Sequence, residues 1–233
     1  MSLPGYGRGM SLRLTLLVWL LVMVCANVAF NRWSAGSVVI GLALTGGLAA
    51  LARWAGLGLS DLGLARSTRT NGLRWGGACV AVAACGYGLA LLVPAARNAV
   101  DGPTGSWPQA LIAAFVVIPL GTVIPEELAF RGVLWGLLRR SWGRAVATTV
   151  SSAVFGMWHV LPALAGGSAN QAVDAVVGGG LLGLWLRVVG TVLFTAAAGV
   201  LFCELRVRSN SLLAPLLAHW AVNGLGVIFV QLA

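Results

Sequence analysis

Six side chains in this sequence sit where their chemistry is expensive. Glu126, Glu127 and Arg131 fall in "GTVIPEELAFRG", His159 ends "FGMWH", and His219 and Asn223 bracket "HWAVN", each within an apolar run. A charged residue at the centre of a membrane span costs about 2.5–3.5 kcal/mol, so three on one segment approach ~10 kcal/mol without compensation. Carboxylates and imidazoles are the side chains that move protons near neutral pH. An amide is a fixed donor of the kind that stabilises a developing oxyanion. Together they have the makings of a site that activates water.

The spacing divides the roles. Glu127 precedes Arg131 by four residues, the favourable orientation for a helical ion pair. Glu126 has Ala129 and Phe130 at the corresponding offsets and so no local partner. Glu127 and Arg131 are therefore expected to form a structural brace, leaving Glu126 as the general base. Phe155 and His159 share a helix face at i,i+4, as do His219 and Asn223. Blander readings exist for each motif. A lone intramembrane histidine is often an interhelical donor, and a proline followed by two acids can mark a helix start.

The elements that must position these groups follow from composition. Of 233 residues 59% are hydrophobic and only 9% charged, against about 25% charged in soluble domains. Mean hydropathy is +0.92. The chain is expected to be an all-α polytopic membrane bundle of seven to eight transmembrane helices. Spans are read at 14–30, 35–52, 76–93, 108–138, 145–163, 188–203 and 212–231. The first is read as an uncleaved span, not a signal peptide. The segment 172–187 either extends the sixth span or lies at the interface. Residues 1–107 carry helices without a motif, and 108–233 carry the whole set above.

All fifteen basic residues are arginine. With a cytoplasmic N-terminus, eleven lie in inside connections and only Arg32 and Arg97 outside, which fixes orientation by the positive-inside rule. The charge thus reads as topology, and the partner is a lipid bilayer, not nucleic acid. Trp33, Trp54, Trp75, Trp107 and Trp142 fall at span ends, as an interfacial belt would. The four cysteines are expected to be buried and inert, without disulfide or zinc spacing. "GGGLLG" at 178–183 has no βαβ context for a dinucleotide and reads as helix packing. Counted from the flanking arginines, Glu126, His159 and His219 lie at depths of roughly 17–22 Å, one common level.

EExxxR, FxxxH and HxxxN in this order on successive membrane helices resemble the CPBP family, the type II CAAX prenyl proteases and bacteriocin-processing enzymes also called the Abi family. The resemblance covers about residues 108–230. It implies an all-helical intramembrane endopeptidase with Glu126 as the water-activating base, His159 as its partner, and His219 with Asn223 around the oxyanion. Glu127, Arg131 and Phe155 would orient them. The substrate would be a membrane-associated protein or peptide, cut near the cytoplasmic half of the membrane. No cofactor is favoured. The alternative is a zinc metalloprotease with Glu126, His159 and His219 as ligands. From other classes, a proton-coupled transporter would need repeat symmetry that the sequence lacks, and a non-catalytic immunity or scaffold protein would not need every motif residue. The alanine-, glycine- and arginine-rich composition fits a GC-rich bacterial genome, and hence a plasma-membrane location.

Overall fold

A computed structural model of the chain describes residues 11–100, 102, 105–165, 178 and 180–233. Among them there is no strand. Helices α1 (Leu12–Arg32), α2 (Ser37–Trp54) and α3 (Arg69–Leu91) lead through short α4 (Pro94–Arg97) to a helical path that begins at Trp107. That path breaks at Gly143, where φ 82 and ψ 180 are open to glycine and costly for any other residue. It is thus two limbs, α5 (107–142) and α6 (144–158). Short α7 (Val160–Leu164), then α8 (Gly180–Ser209) and α9 (Leu213–Leu232) complete the order.

Among the described residues six stretches are long and apolar enough to cross a membrane, the longest being Trp107–Leu164. At about 1.5 Å per residue this one would far exceed a ~30 Å hydrocarbon core if straight. Instead it doubles back at Gly143, and the limbs bond to each other. Ser151 donates to the Phe130 carbonyl at 2.8 Å, and Trp135 donates its indole N–H to Thr148 at 3.4 Å. With its limbs taken separately, the stretches overlap the segments read as spans from sequence. Of the segment 172–187, residues 180–187 extend α8, and all the rest but Gly178 lies outside the described residues.

Polar contacts gather the arginine-rich connections at one end of the bundle. Arg140 pairs with Asp61 and donates to the Gly56 carbonyl, and Glu204 bridges Arg144 and Arg208. Buried Arg206 donates to the Asp61 carbonyl at 3.0 Å. The α2–α3, α5–α6 and α8–α9 connections therefore share one face, while Arg8 lies outside the described residues. The five tryptophans named above are all exposed. The expectation of buried cysteines holds for Cys203 alone. Cys25 and Cys85 lie on the bundle surface, where an apolar thiol meets lipid at little cost.

One apolar core joins the early and late helices: Trp19 of α1 and Leu48 of α2 pack with Phe130, Leu137 and Phe155. Glycine sets the closest approach. A Cβ at Gly156 of α6 would lie 2.7 Å from the Val192 carbonyl, and one at Gly199 of α8 would lie 3.0 Å from Ser152 Cα. These positions let α6 and α8 meet backbone to backbone, the way membrane helices gain packing without a hydrophobic force between them.

Candidate active site

The site begins in α5, and α5 is not regular. It widens to π-helical turns at Ala113–Val117, Pro119–Val123 and Leu128–Leu134, leaving Ile124–Glu127 as a short α segment between the last two. Pro119 and Pro125 each lack an N–H and crowd the carbonyl one turn back, and wider turns relieve that crowding. π turns recur at functional sites because they redirect side chains. The helix does not start at Pro125; it runs through it from Trp107, so the acids are interior residues.

Glu127 and Arg131 are fully buried and paired, with Nη1 to Oε1 at 3.0 Å. The same Oε1 accepts from Nδ1 of His219 at 2.9 Å. Arg131 gains a second kind of support that its spacing did not reveal. Its guanidinium carbon lies 4.0 Å from the Phe155 ring centre and 5.0 Å from that of Phe202, a desolvated setting in which cation–π attraction reaches about 2 kcal/mol. His219 in turn stacks on Phe202 at 5.1 Å. Phe155 thus sits between cation and imidazoles, in a T-shaped contact with His159 at 4.8 Å.

Glu126 has separate surroundings. It is 6% exposed, and its Oε1 accepts from the Trp158 indole N–H at 2.9 Å. Its Oε2 is buried without a hydrogen-bond partner. A cavity of about 240 Å3 adjoins it, lined by Asn27, Asn31, Thr122, Glu126, Trp158 and His159 among others. His159 follows the break that ends α6, and its Nδ1–H donates to the Phe155 carbonyl at 2.8 Å. That bond selects the tautomer with a free lone pair on Nε2.

The structure therefore brings Glu126 and His159 to one cavity and His219 to Glu127. His219 and Asn223 do not line the cavity. Asn223 is half-buried, one turn beyond His219 on α9. Sequence reasoning missed Trp158, although it adjoins His159. It also missed Asn27 and Asn31, whose i,i+4 spacing in an apolar span was the available signal. Asn27 donates to the Trp158 carbonyl at 2.7 Å, and Asn31 donates to Asn27 Oδ1 at 2.9 Å.

The expected depth needs correction. Asn27 and Asn31 lie about 22 and 28 Å along α1 from Leu12, while Leu16 and Trp19 share a groove with Leu138 and Trp142 at the arginine end. The cavity is thus in the half of the bundle away from the arginine-rich face, not near it.

Among the described residues no three His, Cys, Asp or Glu side chains gather as a metal-binding group. Both imidazoles are held through Nδ1, as metal ligands usually are. His219 is held by Glu127 and does not line the cavity that Glu126 and His159 share.

The type II CAAX prenyl endopeptidase Rce1-like family matches the chain over residues 108–225. That is just over half of its length, and the chain belongs to this family. The family is one of CAAX proteases, so the protein is a multi-pass membrane protein of a peptidase family. No curated protein and no solved structure matches the chain.

Proposed function

We propose that the protein hydrolyses a peptide bond of a membrane-associated protein or peptide, in the plasma membrane of a bacterium, with Glu126 as the base. One observation carries this reading. Glu126 is fixed through Oε1 by Trp158 while its buried Oε2 has no partner beside a cavity shared with His159. An unpartnered buried acceptor costs about 1–3 kcal/mol, and more when charged. A water on Oε2 relieves that cost, and the cavity has room for several at about 30 Å3 each.

Glu126 Oε2 takes a proton from that water as its oxygen attacks the scissile carbonyl carbon. His159 Nε2 accepts the water's second hydrogen bond and orients it. The C–N bond then breaks, and the proton held by the carboxyl passes to the leaving amine. The oxyanion formed in between needs donors. His219 and Asn223, on one face of α9, are the candidates. Asn223 carries amide N–H donors one turn beyond His219, which Glu127 holds through Nδ1.

Comparison of membrane proteomes from the native strain and a Glu126→Ala strain tests the proposal. Neo-termini present only with Glu126 support it, and identical termini in the two strains refute it.

A further inference from the structure

The cavity wall facing Glu126 comes from α1, outside the matched residues 108–225. A peptide must leave its helix to present a scissile bond, and in a bilayer each main-chain group so exposed costs several kcal/mol unless it finds a partner. Glu126 and His159 are committed to the reaction. The remaining amides on the wall are Asn27 and Asn31, and their bonding leaves a defined remainder.

Asn31 Nδ2 donates to both the Oδ1 and the main-chain carbonyl of Asn27, each at 2.9 Å. Its own Oδ1 accepts no hydrogen bond among the described residues. Asn27 Nδ2 spends one hydrogen on the Trp158 carbonyl at 2.7 Å and keeps a second. The pair thus holds one free acceptor and one free donor, the complement of a peptide main chain. The bond to Trp158 also satisfies an orphan carbonyl at the end of α6. That structural duty occupies Asn27, whereas Asn31 is exposed and bonds only to Asn27 within its own helix.

We infer that Asn27 and Asn31 form a substrate subsite that hydrogen-bonds the extended main chain of the peptide beside its scissile bond, Asn31 Oδ1 accepting an N–H and Asn27 Nδ2 donating to a carbonyl. The inference rests on the hydrolytic reading above. It makes α1 part of the active site.

The test compares native-strain membranes carrying wild type, Glu126→Gln, Asn31→Leu and Asn27→Leu, scoring Glu126-dependent neo-termini, membrane abundance and Tm of the purified proteins. Asn31→Leu should lower the yield of those termini about tenfold, the loss of one hydrogen bond. Its abundance should be unchanged and its Tm within about 2 °C of wild type. Asn27→Leu should lower both termini and Tm, because it also uncaps α6. Wild-type termini in Asn31→Leu, or a loss that only follows a fall in Tm or abundance, overturns the subsite and leaves the hydrolytic reading standing. If Glu126→Gln retains the wild-type termini, the hydrolytic reading falls and the subsite with it.

Discussion

Glu127 and His219 are 92 positions apart in sequence and share a 2.9 Å hydrogen bond on the oxygen that also holds Arg131. A single carboxylate oxygen thus ties α5 to α9 and serves an ion pair at the same time. Glu127 is not a spare base. Freeing it would leave a buried guanidinium without its counter-charge, and removing one partner of a buried pair costs about 3–5 kcal/mol.

The first prediction follows from that asymmetry between neighbouring acids. Arg131→Ala should lower Tm by roughly 10 °C, or abolish membrane yield, because Glu127 is left buried and charged. Glu126→Gln should keep Tm at or above wild type while cleavage stops. Scanning fluorimetry on the two purified variants checks this, and the reverse ranking would exchange their roles.

Trp158→Phe removes the indole donor on Glu126 and little else, since the ring still packs on Phe130 at 5.9 Å. Loss of a hydrogen bond to a charged group is worth about 1.5–3 kcal/mol. The turnover rate should therefore fall about tenfold to a hundredfold with Tm nearly unchanged. A rate equal to wild type would mean that the base is positioned by something else.

In a cysteine-free background, single cysteines at Asn31 and Gly105 should react with an impermeant maleimide in intact cells, and one at Thr68 should not. The arginine distribution predicts this orientation, and the placement of the cavity adds Asn31 to the reactive side. Labelling at Thr68 would invert the topology and with it the side from which the cavity is reached.

The donor set gives an expectation for metal. Purified protein should hold well under one zinc per chain by elemental analysis and keep its activity after dialysis against a strong chelator. Stoichiometric zinc, with activity lost on its removal and recovered on its return, would decide for metal-assisted hydrolysis.

What was legible in the sequence was what helical periodicity encodes. Glu127 with Arg131 and Phe155 with His159 stand one turn apart, so the pattern placed each pair before any fold was known. The spans were legible because apolar length is a one-dimensional signal. Contacts between helices were not, because no period links Glu127 to His219 or Trp158 to Glu126. Asn27 and Asn31 were passed over for lack of charge, although two amides one turn apart in an apolar span also need partners. The depth error has a plain source. Counting from the arginines already put Glu126 beyond the middle of a ~30 Å core, so the cytoplasmic-half expectation disagreed with its own count, and the end of α1 sides with the count.

The break at Gly143 bears on how such a site comes into being during synthesis. Glu126 lies 17 residues before it and His159 lies 16 after it, so the limbs of one hairpin bring carboxylate and imidazole level by their nearly equal lengths. With only 33 positions separating them, the two form a low-contact-order pair, which is expected to assemble once this hairpin enters the bilayer, ahead of the contacts made by α8 and α9. A one-residue insertion in either limb would rotate its half of the pair by about 100°, so this chain should tolerate length changes in its other connections far better than between 126 and 159.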